Sequence, residues 1–152
     1  MSQVLESPRD SEMAADLLRA RELSEVALLD YKRNLKVAAK QMTQKQIAEI
    51  VRLSQPAIAT ALKRAAKVPD AIAGFKAASP HEVCQRYAAG LISRKEVVRQ
   101  LVAWPYNDTP KFNEFGEVQG DTSGTFTDVE NAVMFGLIDD SIYEEVFNQL
   151  AD

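Results

Sequence analysis

From Ser11 to Gln41 the chain runs without Gly or Pro, and its apolar positions recur at helical rather than alternating spacing. Met13, Leu17, Ala20, Ala27, Tyr31 and Ala38 follow a 4,3 spacing, while Leu18, Leu23, Val26 and Leu29 lie on the other side. A stretch this rich in Ala, Leu, Glu, Lys and Arg predicts one long helix of roughly 45 Å at 1.5 Å per residue. Being apolar on two sides, it has to be covered on both. One side is expected against its own domain and the other against the C-terminal lobe or a second copy of the chain. A homodimer is therefore expected, although small residues and Ser24 in the seam do not make a regular coiled coil.

Two shorter periods follow. Over Gln44 to Val51, the side chains Ile47, Ile50 and Val51 share a face, and Ala48 sits where a second helix must cross closely. After a corner at "VRLS", with Leu53 expected to fill it from inside, Ile58, Ala61, Leu62 and Ala65 fall at i, i+3, i+4, i+7, a buried helical stripe. Further on, "VCQRYAAGLISRKEVVRQL" from Val83 and "VENAVMFGLIDDSIYEEVFNQL" from Val129 echo one another. Each places a Val seven residues before a Gly, then Leu-Ile, then a second amphipathic helix. Gly90 and Gly136 predict left-handed helix stops, with Leu91-Ile92 and Leu137-Ile138 tucked under the corners of two helical hairpins. Between them Trp104 to Phe126 is scattered with Pro, Gly, Asn and Asp and has no helical period, which predicts a long loop.

Helix starts punctuate this pattern: a Ser or Thr followed three residues later by an acid or Gln occurs at Ser7, Thr43, Ser79, Ser93 and Thr127, with a further start at Ser54. Strand-like alternation is absent. The expectation is an all-α protein with a flexible N-terminus at 1–10, a helix-turn-helix domain at 11–78 that includes the long N-terminal helix, and a small lobe of helical hairpins at 79–152 carrying the 104–126 loop.

Charge changes what the middle of this pattern means. The net charge of −4 over 152 residues is unevenly spread. Residues 31–67 hold nine basic side chains against Glu49 alone, whereas residues 104–152 hold Lys111 against eleven acids. The basic block coincides with the two short helices and asks for a polyanion; the acidic end should avoid one. Composition is otherwise that of a globular protein, with 46% hydrophobic and 26% charged residues. Without an apolar run long enough to span a bilayer or a signal-peptide pattern, a cytoplasmic protein with no membrane partner is expected.

Other chemistry is thin. Cys84 and His81 are the only residues of their kinds. They cannot make a disulfide or a zinc site, and no third group is evident to orient them as a nucleophile pair. No phosphate-cradling glycine loop, nucleophile elbow or dinucleotide fingerprint occurs. No enzyme, cofactor or metal is expected.

The stretch "QIAEIVRLSQPAIATALKRA" resembles the helix-turn-helix of prokaryotic DNA-binding regulators, lambda-repressor-like and related phage and bacterial proteins, over about Lys40 to Lys67. Ala48, the apolar Ile47, Val51, Leu53 and Ile58, and the "SQPAI" start of the second helix carry the likeness. Arg52 departs from it, because that corner usually holds Gly to allow positive φ; a non-Gly residue there costs of order 1 kcal/mol. The resemblance implies that residues 55–65 form a recognition helix in the major groove of double-stranded DNA. The candidate DNA-binding residues are Thr43, Gln44, Lys45, Arg52, Ser54, Gln55, Pro56, Ala59, Thr60, Lys63, Arg64 and Lys67. By 100° steps Pro56, Thr60, Lys63 and Lys67 face outward, flanked by Gln55, Ala59 and Arg64. Gln55 suits adenine or a phosphate, Thr60 a thymine methyl and Lys63 a guanine. Lys45, Arg52, Arg64, Lys67 and Ser54 suit phosphate, and Pro56 and Ala59 allow close approach.

A transcription regulator, such as a repressor, is the function this implies, with the acidic lobe serving oligomerisation or partner binding. Two alternatives keep that lobe central: an antitoxin-like or phage regulatory protein that neutralises a basic partner, and an adaptor without DNA activity.

Overall fold

The computed structural model describes residues 11–108, 111–119 and 123–152. The expected flexible segment 1–10, and the helix start at Ser7 with it, lie outside the described residues. The described chain is all-helical apart from one two-residue ladder, and it divides into two compact units: Ser24–Asp70, and a second unit made of residues up to Leu23 together with Ala71–Asp152. This division falls elsewhere than at 78/79. The long helix α1 (Glu12–Ala39) gives its first half to one unit and its second half to the other.

The unit at 24–70 is three helices: the second half of α1, α2 (Gln44–Val51) and α3 (Gln55–Ala65). Leu35, Ile47, Ala48, Ile58 and Ala65 form its buried core, with Tyr31, Ala38, Met42, Val51, Ala61 and Leu62 packed around them. Ala48 is buried where α2 crosses α3, as its small side chain requires. Two expected core residues are not buried. Ile50 is 66% exposed and Leu53 49% exposed. Eight residues of α2 turn only one narrow face inward, and with three helices in the unit no further element is there to cover the neighbouring positions.

The other unit pairs two hairpins, α4 (Pro80–Ala88) with α5 (Arg94–Ala103) and α6 (Thr127–Met134) with α7 (Asp140–Ala151); α4 packs on α6 and α5 on α7. The repeat in the sequence is a repeat in the backbone. Gly90 and Gly136 both have positive φ, and the next residue's N–H closes each helix end: Leu91 donates to the Arg86 carbonyl and Leu137 to the Ala132 carbonyl, both at 2.9 Å. Leu137 and Ile138 are buried as expected, whereas Leu91 is half out in solvent. Val83, Val97, Leu101, Val129, Ile142 and Val146 are fully buried at the centre.

Caps at Ser79 and Ser93 form, each side-chain oxygen accepting from the N–H three residues on. The one expected at Thr127 does not: Thr127 is already inside α6, the cap position is Phe126, and no side chain caps it. The chain enters α6 instead through a turn in which Gly124 N–H donates to the Asp128 carboxylate. The 104–126 stretch is not wholly structureless either. It holds β1 (Lys111–Phe112) and β2 (Val118–Gln119), antiparallel, with Phe112 opposite Val118. Asn113 Oδ1 accepts from the N–H groups of Phe115 and Glu117 and closes the turn between them.

What recruits residues 11–23 to this unit is polar as well as apolar. Leu18 packs against its core, and the buried Glu22 accepts a hydrogen bond from Gln85 on α4 at 3.0 Å. The opposite side of the helix start, which the 4,3 spacing predicted to be covered, is open: Met13 is 81% and Leu17 71% exposed.

Candidate nucleic-acid interface

The two short helices are built by local signals that act independently of the core. Thr43 starts α2 with a reciprocal box: Gln46 N–H donates to Thr43 Oγ1 at 3.2 Å, and Thr43 N–H donates to Gln46 Oε1 at 2.9 Å. Ser54 starts α3 by accepting from Ala57 N–H at 3.2 Å, and Pro56 follows in the first turn where an N–H has no helical partner to lose. Between them Arg52 ends α2 in the left-handed conformation, φ 61° and ψ 43°, with its N–H and that of Leu53 both directed at the Ala48 carbonyl. It is the one non-glycine residue with positive φ among the described residues. The turn therefore keeps the geometry a glycine would serve, and an arginine bears the strain.

All twelve candidate residues except Ala59, which is half-buried, are exposed, and all lie on α2, α3 and their flanks within the 24–70 unit. The structure divides the α3 residues by side. Pro56, Thr60 and Arg64 line a groove shared with α1, while Gln55, Ala59 and Lys63 lie further around the helix, outside that groove. Lys67 follows α3 in the turn that closes on the Arg64 carbonyl. Thr43 and Ser54 use a hydroxyl lone pair for capping and keep their O–H hydrogens free to donate.

The cations of the basic block fall into two groups, which spacing alone did not separate. Lys36 is spent inside the unit: its Nζ donates to the Val68 carbonyl and to Asp70 Oδ1, both at 2.6 Å. Arg33 donates to the Pro69 carbonyl at 3.1 Å. These two anchor the segment after α3 back onto α1. The lysine beside Asp70 also holds its carboxyl below the usual carboxylate range. Lys32, Lys40, Lys45, Arg52, Lys63, Arg64 and Lys67 form no ion pair or side-chain hydrogen bond with another described residue. Over the whole unit nine basic side chains stand against four acidic ones, a net of +5, and the seven unpaired cations include five of the candidate residues.

Elsewhere the chemistry stays closed. Cys84 is buried, and burial pushes its thiol up to about 12, so no thiolate is present at neutral pH. His81 stands edge-on to Phe135, ring centres 6.3 Å apart. No group of His, Cys, Asp and Glu among the described residues is arranged to hold a metal ion, and no helix among them is long and apolar enough to cross a membrane. Sequence reasoning missed one cluster: Tyr106, Phe126, Tyr143 and Phe147 meet with ring centres 5.5 to 6.5 Å apart beside an open groove that Leu150 also lines. Only the spacing of Tyr143 and Phe147 on one helix could have signalled it. Comparison with protein-family models, with curated proteins and with solved structures returns no match.

Proposed function

We propose that the chain binds double-stranded DNA through the helix-turn-helix Gln44–Ala65 and acts as a sequence-specific transcription regulator. The observation that carries this reading is the unpaired set Lys45, Arg52, Lys63, Arg64 and Lys67, held on and beside two capped helices of a unit in which Arg33 and Lys36 are occupied internally. Such a surface has no counter-charge of its own, and phosphates supply it while releasing condensed counterions. Gln55, Thr60 and Lys63 are the side chains that read base edges, and the cations set the register on the backbone. With no arginine or asparagine squarely on the outward side of α3, one copy distinguishes sites poorly. A homodimer on two half-sites supplies the rest, and the exposed Met13 and Leu17 are its apolar contact.

Gel-shift titrations against promoter and random DNA at several salt concentrations test the reading. Binding should weaken steeply with salt, and each cation removed should flatten the log–log slope by about 1. Lys63→Glu with Arg64→Glu leaving affinity unchanged would sink it.

One observation favours a second role for the other unit. That unit carries nine basic against eighteen acidic side chains, and beyond Lys111 it has no cation at all. Its half-exposed ring cluster beside Phe147, 52% exposed, suits a basic protein partner, as in an antitoxin-like or phage regulatory protein. Pull-downs comparing the full chain with Phe147→Ser test it: the variant should lose a protein ligand and keep DNA.

A further inference from the structure

On the 24–70 unit, α1 and α3 do not close against each other along their whole length. Leu28, Tyr31, Lys32 and Leu35 of α1, spaced i, i+3, i+4, i+7, make one wall of a groove. Pro56, Ala57, Thr60, Ala61 and Arg64 of α3 make the other. The gap has a sequence cause. Ala57 and Ala61 occupy the positions of α3 that turn toward α1, and their methyl groups leave a space of about 490 Å³ that larger aliphatic side chains would fill. The floor is apolar. Around it stand the Tyr31 and Thr60 hydroxyls, the Lys32 ammonium and the Arg64 guanidinium, none of which pairs with another described side chain. The contrast is with Arg33, next to Lys32 on α1, and Lys36, one turn further on, which are tied to residues 68–70.

An apolar cleft of this size with a few convergent polar groups is the usual form of a small-molecule site. Two unpaired cations and two hydroxyls, with no carboxylate among the lining residues, select a negative headgroup. We propose that this groove binds a small amphiphilic organic anion, with an apolar body against Leu28, Leu35, Ala57 and Ala61 and a carboxylate between Lys32 and Arg64. Thr60 and Arg64 are also DNA-facing in the function proposed above, and on that reading an occupied groove withdraws both from DNA. The ligand then acts as an inducer.

Calorimetric titration of the full chain with decanoate, kept below its micelle concentration, tests the site; decanol is the neutral counterpart. Decanoate should bind, decanol about tenfold more weakly or not at all. Leu28→Gln and Lys32→Gln alter exposed or half-exposed positions that the core does not need, and each should weaken decanoate about fivefold to tenfold. Ala61→Trp fills the groove and should abolish binding. Phe147→Ser, in the unrelated aromatic groove, should change nothing. Decanol binding as tightly as decanoate, Lys32→Gln within twofold of the wild type, or loss through Phe147→Ser would each overturn the assignment. In the gel shift, saturating decanoate should weaken promoter binding about tenfold in the wild type and not in Ala61→Trp. Decanoate binding with unchanged DNA affinity would refute the inducer role. A chain that binds decanoate but no DNA would refute the helix-turn-helix reading and leave the ligand site standing.

Discussion

The two units handle polar groups in opposite ways. In the hairpin unit charge is taken inside and matched: Arg86 and Glu82, both buried, pair at 3.1 Å one helical turn apart, and Glu82 also accepts from Ala78 N–H. Glu22 and Gln85 add a second buried polar contact. In the three-helix unit no charged side chain is buried among the described residues; the ion pair of Lys36 with Asp70 lies at the surface, and most of its cations have no described partner. The hairpin unit uses its polar groups to specify its own packing, whereas the three-helix unit holds its cations ready for something else. That difference is what points function to the smaller unit.

The comparison breaks most easily at its buried pair. Arg86→Ala strands the Glu82 carboxylate in the interior and should destabilise the hairpin unit by about 3–5 kcal/mol, read by chemical denaturation. Replacing both partners, Glu82→Leu with Arg86→Met, should recover most of that loss, since the desolvation cost of both charges disappears along with their attraction. If Arg86→Ala costs no more than an exposed arginine would, the internal matching is incidental.

On the cationic side the largest effect falls on binding. Lys63→Glu with Arg64→Glu should lower DNA affinity about a hundredfold or more at moderate salt, because two attractions to phosphate become repulsions. Thermal stability should hardly move, since neither side chain is buried or paired. The same substitutions at Arg94 and Arg99, which are paired with Glu145 and Glu96, should disturb binding far less.

How much of this was legible beforehand differs by unit for the same physical reasons. Caps and turns are short-range, so Thr43, Ser54, Ser79, Ser93, Gly90 and Gly136 could be placed from sequence alone. Burial is a property of what else is present. Ile50 and Leu53 follow a core pattern but lie at the edge of a unit too small to cover them, and Met13 and Leu17 share a periodic face that nothing in the unit meets. Glu22 shows the converse: an acid with no apolar signal of its own, it is buried and accepts from Gln85, more than sixty residues away. The division of cations into tied and free depends likewise on carbonyls at Val68 and Pro69, which no side-chain pattern reveals. The exposure of the candidate residues other than Ala59 was nevertheless legible, because a capped helix of known register fixes which side chains point away from its stripe.

Arg52 sharpens the comparison by separating stability from binding at one residue. Glycine adopts φ 61° without the Cβ penalty, so Arg52→Gly should stabilise the three-helix unit by up to about 1 kcal/mol, less whatever glycine's freer unfolded chain takes back. The same change removes an unpaired cation and should flatten the salt dependence of DNA binding by about 1 in slope. A variant that loses stability would mean that the arginine side chain supports the corner.

The smallest effect concerns acid, and it separates the units through two surface carboxylates, the half-buried Glu96 and the exposed Asp70. Hydrogen bonds from Arg99 and Gln100 pull the Glu96 carboxyl down to about 2 on the hairpin unit, and Lys36 lowers Asp70 on the other. A folded-state value below the unfolded one means that the stabilisation is complete above the ordinary carboxylate range. It is lost as pH falls through the depressed value. The gap in stability between wild type and Glu96→Gln should therefore be constant above pH 4.5 and should close as pH approaches about 2. Asp70→Asn should show the same sign in the three-helix unit. Carboxyl titration by NMR on the full chain reads both groups at once, and a Glu96 that titrates at its ordinary value would show that the Arg99 bridge is not held in solution. In that case the ion pairs at the surface of the hairpin unit confer no more than unpaired cations do, and its matched charges matter only where they are buried.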